Sequence, residues 1–232
     1  MSLALSPAEW EALALSLQVA TCSLLLTFVP GIACGWFLAR KSFPGKVLVE
    51  ALVHAPLVLP PVVMGYALLF SLGRHGFISE ALFEGDLRLA FTWRAAALAS
   101  TVMGFPLMVR AVRLAIELVD LRLEQAATTL GATPWRVFWT VTLPLSLPGV
   151  VTGSLLAFAR SLGEFGATIT FAGNLPGETR TLPLALFTAL QSPGGEEPAM
   201  RLAVLSIVIS LAALVASELI ARRIARRLGR DA

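Results

Sequence analysis

The chain has 232 residues, of which 56% are hydrophobic and only 14% are charged, and its net charge is +3. Soluble domains usually carry about a quarter charged residues, so this composition argues against a soluble globular protein. The charges are also bunched, since Ala12–Ala39 contains no Asp, Glu, Lys, Arg or His. A helix of that length can cross a hydrocarbon core of about 30 Å, and we therefore predict a polytopic, all-α membrane protein.

The apolar, charge-poor runs predict five membrane spans in a single domain that covers 1–232. The spans are Ala12–Ala39, Val47–Leu72, Phe91–Val112, Pro148–Phe171 and Ala199–Ala221. A secretory signal peptide is a poor interpretation of the first run, because no Lys or Arg precedes it and the run is too long. The run Leu182–Leu190 is too short to cross the membrane and is expected to form an interfacial or re-entrant helix.

The Lys and Arg residues predict which side each loop occupies. With the C-terminus inside, twelve of them lie on the cytoplasmic side: Arg40, Lys41, Lys46, Arg110, Arg113, Arg122, Arg136, Arg222, Arg223, Arg226, Arg227 and Arg230. Five lie on the opposite side: Arg74, Arg88, Arg94, Arg180 and Arg201. The positive-inside rule therefore predicts an outer N-terminus and a cytoplasmic C-terminus. A nucleic-acid partner explains these charges poorly, because the C-terminal basic cluster directly follows a span.

The segment 117–146, between the third and fourth spans, predicts a cytoplasmic hairpin of two short helical pieces. Gly131 is expected to end the first piece, since glycine adopts the left-handed conformation at little cost. Thr133 is a candidate N-cap for the second piece, Trp135–Thr142, with Pro134 at its first position. Helical spacing places Trp135, Phe138 and Trp139 on one side. Spacing alone leaves open whether these rings dock on another protein or pack on the membrane surface.

The hairpin resembles the EAA loop of binding-protein-dependent ABC importer permeases. The matching residues are Gln125, Ala126, Ala127 and Gly131, followed by Val141, Leu143 and Pro144. Gln125 stands where that family has Glu, with Glu124 immediately before it, and Val141 replaces Ile. The resemblance implies that the hairpin is the helix that couples the permease to a cytoplasmic ATPase. The expected coupling residues are Glu124, Gln125, Ala126, Ala127, Gly131, Trp135, Phe138, Trp139, Leu143 and Pro144.

The resemblance covers nearly the whole chain and is strongest to the molybdate permeases of that family. "PLVLPPVVMGYALL" (Pro56–Leu69) and "ARSLGEFGATITFAGNLPGETRTLP" (Ala159–Pro183) are two of the segments that carry it. It implies a type I importer fold in the bacterial inner membrane, with sulfate or tungstate as alternative substrates. The implied partners are a second permease chain, two ATP-binding cassette subunits and a periplasmic oxyanion-binding protein, besides membrane lipid. ATP and Mg²⁺ are expected on the ATPase subunit, and no cofactor on this chain.

Two sets of residues are candidates for the translocation path or its gate. Pro60 and Pro61, in the second span, must kink or open the helix, which serves either packing or a gate. Arg160 and Glu164, in the fourth span, are predicted to lie on one helix face and neutralise each other. They either fix the bundle as an ion pair or, with Arg160 facing the passing oxyanion, line the path beside Phe165. Gly31, Gly35, Gly149 and Gly153 form small-residue pairs that predict helix packing.

Other functional classes find little support in the sequence. The chain has no phosphate-binding Gly-rich loop followed by Lys, so we do not expect it to be an ATPase or another enzyme. Its only histidines and cysteines are His54, His75, Cys22 and Cys34, and a metal site or disulfide is not expected. A secondary transporter or channel remains a remoter alternative, which predicts internal repeats that the sequence does not show convincingly.

Overall fold

The computed structural model describes residues 5–74, 76–83 and 88–227, and every regular element in these residues is helical. In chain order the elements are α1 (Pro7–Arg40), α2 (Lys46–Val58), α3 (Pro61–Leu72), α4 (Phe77–Phe83), α5 (Trp93–Glu117), α6 (Leu121–Thr129), α7 (Pro134–Val137), a π-helical segment (Phe138–Thr142), α8 (Leu143–Leu162), α9 (Gly166–Phe171), α10 (Leu182–Leu190) and α11 (Glu196–Arg227).

Five stretches of the described residues are long and apolar enough to cross a membrane, which confirms the predicted number. They are Pro7–Arg40, Pro61–Ala81, Trp93–Glu117, Pro134–Leu162 and Glu196–Ile220. The first, third and fifth extend beyond the predicted runs at one or both ends, because polar residues at the ends of an apolar run remain helical. The short helix predicted at Leu182–Leu190 is α10, with the same bounds.

Helix α1 begins at a capping box and is the longest element. The Ser6 hydroxyl accepts a hydrogen bond from the Glu9 amide, and the Glu9 carboxylate accepts one from the Ser6 amide at 2.6 Å. Pro7 at the first helical position needs no amide partner there. Its 34 residues make a helix of about 51 Å at 1.5 Å per residue. That length exceeds the hydrocarbon core, so α1 carries its polar end residues beyond the apolar layer.

Helix α5 lies at the centre of the bundle between α1 and α8, and small residues bring the three helices close together. A Cβ atom added at Gly31 or Gly35 of α1 would collide with Met108 or Val112 of α5. Gly149 and Gly153 of α8 lie equally close to α5, against Ala115 and Met108. The predicted packing role of the four glycines is therefore confirmed, and any side chain there would push the helices apart.

The two ends of the bundle carry separate clusters of charge. At one end, the Arg201 guanidinium lies 3.2 Å from the Glu9 carboxylate, which ties α11 to the start of α1. At the other end, Arg113 of α5 bonds Glu50 of α2 at 2.8 Å. Between these ends, large apolar side chains such as Leu25 face outward. Outward-facing apolar side chains over this height are typical of a lipid-facing bundle.

The kink or opening predicted at the prolines of the second span is confirmed, whereas the fourth predicted span is wrong as a single helix. The predicted Val47–Leu72 divides into α2 and α3 at Leu59 and Pro60, because a proline ring excludes the preceding residue from the helical conformation. The predicted Pro148–Phe171 starts too late and ends too late, since helix runs from Pro134 to Leu162 and then breaks. A second helix, α9, restarts at Gly166.

The predicted third span begins too early at its first residue, Phe91. Phe91 has a φ of 61° and lies before the helix, and its amide donates to the Phe171 carbonyl. Thr92 is the N-cap of α5, because its hydroxyl accepts a hydrogen bond from the Ala95 amide. Cys22 and Cys34 are free and half-buried. His75 lies outside the described residues.

Candidate functional site

The predicted hairpin is present and turns at Gly131. This residue has a φ of 87°, and no atom lies within 4 Å of the position where a Cβ would stand. Its conformation, and not crowding, is therefore what requires glycine. The Thr133 hydroxyl accepts a hydrogen bond from the Arg136 amide, which confirms the predicted N-cap, and Pro134 follows as the first helical residue.

The second arm of the hairpin differs from the predicted separate helix Trp135–Thr142. Only Pro134–Val137 is α-helical, and Phe138–Thr142 is a π-helical segment that runs without interruption into α8. Pro144 does not end this helix, and it lies directly after the π-helical segment, in the first turn of α8. The second arm and α8 therefore form one continuous helical stretch from Pro134 to Leu162.

Three aromatic rings of the second arm form one cluster, as their spacing predicted. The ring centroid of Trp135 lies 5.9 Å from Phe138 and 5.5 Å from Trp139. Phe138 faces inward and meets Trp36 of α1 edge-on at 5.9 Å. Trp135 and Trp139 remain 70% and 50% exposed, so they form the outward part of the cluster. Exposed tryptophan pairs of this kind are typical of protein interfaces.

A groove of about 410 Å³ runs beside the first arm, α6. Its lining residues are Leu121, Glu124, Gln125, Thr128 and Thr129. Gln125 and Ala126 are exposed and Ala127 is half-buried. Leu143, by contrast, packs against the bundle core beside Met108 and Val112, so it supports the hairpin from within. The outward surface therefore comprises α6 and the two tryptophans.

The carboxylate of Glu124 points away from this outward surface and is held by the bundle. Its Oε1 atom accepts hydrogen bonds from Arg40 of α1 at 2.8 Å and from the Thr142 hydroxyl at 2.7 Å. Sequence reasoning grouped Glu124 with the outward residues and counted Arg40 only as a basic residue of the cytoplasmic side. The single sequence signal for this role of Arg40 is its position four residues after Trp36, on the same helix face.

The structure brings the two sets of path candidates together. Pro61, at the break between α2 and α3, lies directly against Gly166, at the break between α8 and α9. Gly65, one turn further along α3, packs against the Ala167 backbone at a distance that only glycine allows. The ring of Phe165, within the second break, contacts that of Phe187 of α10 at a centroid separation of 5.1 Å and an interplanar angle of 58°. The prolines predicted the first break, but neither the second break nor the contact between the two was predicted from the sequence.

Arg160 and Glu164 form the predicted ion pair, with 2.6 Å between Nη1 and Oε2. They do not lie on one helix, however, because α8 ends at Leu162 and Glu164 stands in the break. The second carboxylate oxygen accepts a hydrogen bond from the Ala167 amide at 2.8 Å, which favours the start of α9. The Glu164 side chain is 1% exposed and that of Arg160 is 27% exposed. The pair is therefore anchored at its acidic end and accessible at its basic end.

No group of three or more His, Cys, Asp or Glu side chains in the described part of the chain is arranged to hold a metal ion. The chemistry that the described residues offer is instead that of exposed aromatic rings, a shallow surface groove along α6 and paired charges.

Comparison with known proteins gives consistent matches along the chain. The model of the family described as "Binding-protein-dependent transport system inner membrane component" matches residues 31–228. The chain is 56% identical over 227 residues to the molybdenum transport system permease protein ModB of Escherichia coli (strain K12), with 97% of this chain and 99% of that protein covered. It is 53% identical over 222 residues to ModB of Haemophilus influenzae (strain ATCC 51907 / DSM 11121 / KW20 / Rd), covering 95% and 97%.

Two further matches have lower sequence identity. The sulfate transport system permease protein CysW of Synechococcus elongatus (strain ATCC 33912 / PCC 7942 / FACHB-805) is 38% identical over 174 residues, which cover 75% of this chain and 61% of that protein. Among solved structures, an inward-facing MetNI methionine ABC transporter has a TM-score of 0.71 at 19% identity, with 94% of each chain covered. That likeness concerns the fold alone.

Proposed function

Because this chain belongs to the family of binding-protein-dependent transport system inner membrane components, we propose that it is the permease subunit of an ATP-driven importer of molybdate. The observation that carries the proposal is the similarity to ModB over nearly the full length of both chains. In this function the bundle alternates between outward and inward access to the ion. Sulfate and tungstate remain the alternative cargoes. Molybdate is preferred to sulfate because the chain is 56% identical to ModB but only 38% identical to the sulfate permease.

The hairpin is the proposed docking site for the ATPase subunit. The exposed Trp135 and Trp139 supply a pair of aromatic anchors, and the groove beside α6 supplies polar contacts with Gln125. Because the sequence lacks a phosphate-binding loop, ATP and Mg²⁺ belong on that separate subunit, and this chain binds no cofactor and is not an enzyme. The second arm is continuous with α8, which gives a docking movement a rigid route into the bundle.

The paired helix breaks are the proposed gate on the ion's path. Broken helices in transporters allow local rearrangement and expose backbone groups where an ion passes. Pro60, Pro61 and Phe165 line the breaks, and Arg160 supplies positive charge beside them. Glu164 neutralises most of that charge at 2.6 Å, so the site attracts an oxyanion without retaining it. A path of this kind releases its cargo, whereas high affinity belongs to a separate binding protein.

The assembly follows from the same proposal. Two copies of this chain form the path between them in the bacterial inner membrane, with two ATP-binding cassette subunits on the cytoplasmic side and an oxyanion-binding protein on the periplasmic side. The Lys and Arg distribution supports a periplasmic N-terminus. The end of the bundle that holds the hairpin, Arg40 and Arg113 is then the cytoplasmic end.

The test is ATP-dependent uptake of radiolabelled molybdate by vesicles that contain this chain, its ATPase subunit and the binding protein. We expect uptake only with all three components, and no ATP hydrolysis by this chain alone. Unlabelled tungstate and sulfate serve as competitors that separate the alternative cargoes. Uptake without ATP, or a purified chain that hydrolyses ATP, would contradict the proposal.

A further inference from the structure

Both arms of the hairpin are attached to the last turn of α1. The second arm meets Trp36 through the edge-on contact of Phe138 at 5.9 Å. The first arm meets Arg40 through Glu124 at 2.8 Å. Trp36 and Arg40 are four residues apart and therefore lie on the same face of α1, one turn from each other. Arg40 is 84 residues from Glu124 along the chain, yet α1 holds both arms of the hairpin.

The Glu124 carboxylate is the point where the attachments meet. Its Oε1 atom accepts from Arg40 Nη2 at 2.8 Å, from Arg40 Nε at 3.2 Å and from the Thr142 hydroxyl at 2.7 Å. Arg40 also donates to the Val119 carbonyl at 3.2 Å. The charged side chains are only 12% and 17% exposed, so water competes weakly for these hydrogen bonds. One ion pair thus connects α1, the link from α5, α6 and the base of α8.

Apolar packing does not replace this ion pair in the first arm. Helix α6 has no buried residue, so no buried apolar side chain of α6 fixes its position against the bundle. Charge-assisted hydrogen bonds to Glu124 therefore determine where α6 lies. Thr142, the third partner, is 1% exposed and is the last residue of the π-helical segment. Such segments are rare and concentrate at functional sites.

We infer that Arg40 and Glu124 are positioning residues that transmit displacement of the hairpin to α1. The inference rests on the proposed coupling role of the hairpin. The hairpin is covalently joined to α5 and α8, and this ion pair adds α1 as a third connection. Because the Met108 and Val112 side chains of α5 pack directly on Gly31 and Gly35 of α1, a movement of α1 at the ion pair is passed to α5. Docking therefore moves α1, α5 and α8 together.

The experiment measures molybdate uptake per ATP hydrolysed in the reconstituted transporter. Arg40→Gln removes the charge but leaves Trp135 and Trp139 in place, so the ATPase subunit still co-purifies. Uptake per ATP falls by about tenfold, within the range of ordinary coupling between sites. Glu124→Gln gives a similar loss, and the double variant is no worse than either single one, because each change breaks the same pair.

Glu117→Gln is the matched control. Glu117 pairs with Arg113 four residues away on the same helix, so its loss breaks no bond between elements, and uptake per ATP stays as in the unmodified chain. Two results would overturn the inference. One is a loss of uptake per ATP in the double variant that equals the product of the two single losses, and the other is unchanged uptake per ATP in Arg40→Gln. If Arg40→Gln fails to insert, Thr142→Val removes one donor from Glu124 and must still lower uptake per ATP. Failure of the unmodified chain to take up molybdate would instead contradict the proposed function.

Discussion

At the scale of single residues, neighbouring positions in the hairpin have opposite environments. Glu124 turns inward to Arg40, whereas Gln125 is exposed beside the groove. The family pattern places its acidic residue at the position of Gln125. In this chain the carboxylate one position earlier is occupied by bonds within the permease. An acidic side chain next to Gln125 therefore does not replace the family's Glu at the outer surface.

Replacing Gly131 by Val is expected to weaken association of the ATPase subunit. A β-branched residue is penalised at a φ of 87°, so the second arm changes direction and carries both tryptophans out of place. The measurement is co-purification of the ATPase subunit with the variant. Gly131→Asn is the control, since Asn tolerates the left-handed conformation and nothing crowds the site. Equal association of both variants would show that the turn conformation is unimportant.

Replacing Trp139 by Ala is expected to weaken ATPase association strongly. Truncation of an aromatic anchor at an interface typically costs about 2 kcal/mol or more, roughly a thirtyfold loss of affinity. Gln125→Ala removes a neutral, exposed side chain and is expected to change affinity much less. Titration of the detergent-solubilised permease with the ATPase subunit compares the two. A larger loss for Gln125→Ala would reverse the proposed roles of the two residues.

At the scale of elements, two features shape the bundle. Small residues let the central helices pack closely, and two neighbouring spans are interrupted at the same height. The α1–α5 and α5–α8 seams are closed by glycines, and the two breaks meet where Pro61 touches Gly166. Seams of this kind hold the three central helices in close contact. The breaks, in contrast, interrupt the backbone hydrogen bonds of two neighbouring spans, so rearrangement is concentrated there.

Replacing Gly149 by Val is expected to destabilise the bundle by about 1–3 kcal/mol, because the new side chain overlaps Ala115 of α5. Thermal unfolding in detergent measures the loss as a lower apparent Tm. Thr152→Val is the control. It places a Val on the same helix at an exposed position, and the Val side chain has nearly the same shape as the Thr it replaces. A Gly149→Val chain as stable as the control would mean that α5 and α8 separate easily.

At the scale of the whole molecule, charged side chains from different helices gather at the two ends of the bundle. The hairpin, Arg40 and the Arg113 ion pairs lie at one end of α1 and α5, while Glu9 and Arg201 pair at the other. Residues that the Lys and Arg asymmetry assigned to one side of the membrane thus meet in space. The bundle therefore has one strongly basic end, which the positive-inside rule assigns to the cytoplasm.

The expected topology is testable by cysteine labelling. In a background lacking Cys22 and Cys34, Ser2→Cys should react with a membrane-impermeant thiol reagent added to the periplasmic side. Thr129→Cys, on the exposed surface of α6, should react only from the cytoplasmic side and serves as the opposite control. Reaction of Ser2→Cys only from the cytoplasm would invert the proposed orientation.

The sequence by itself determined those features that depend on neighbours along the chain. Apolar, charge-poor runs of membrane length predicted five spans, and Gly131, Thr133 and the spacing of three aromatic residues predicted the hairpin and its ring cluster. These signals are local, because helix periodicity, capping and turn conformation involve residues within a few positions. Proline chemistry likewise indicated the break in the second span.

Only the tertiary structure decided how these local features meet. Arg40 and Glu124 are 84 positions apart, and Ser23 bonds Ser161 across 138 positions. No periodicity relates such pairs, since their contact follows from how α1, α5 and α8 pack. The end of α8 was also predicted wrongly, because the Ala167 amide donates to the buried Glu164 carboxylate and a new helix, α9, starts at Gly166. Packing between distant parts of the chain therefore decided which charged side chains form ion pairs within the bundle and which side chains are exposed on its surface.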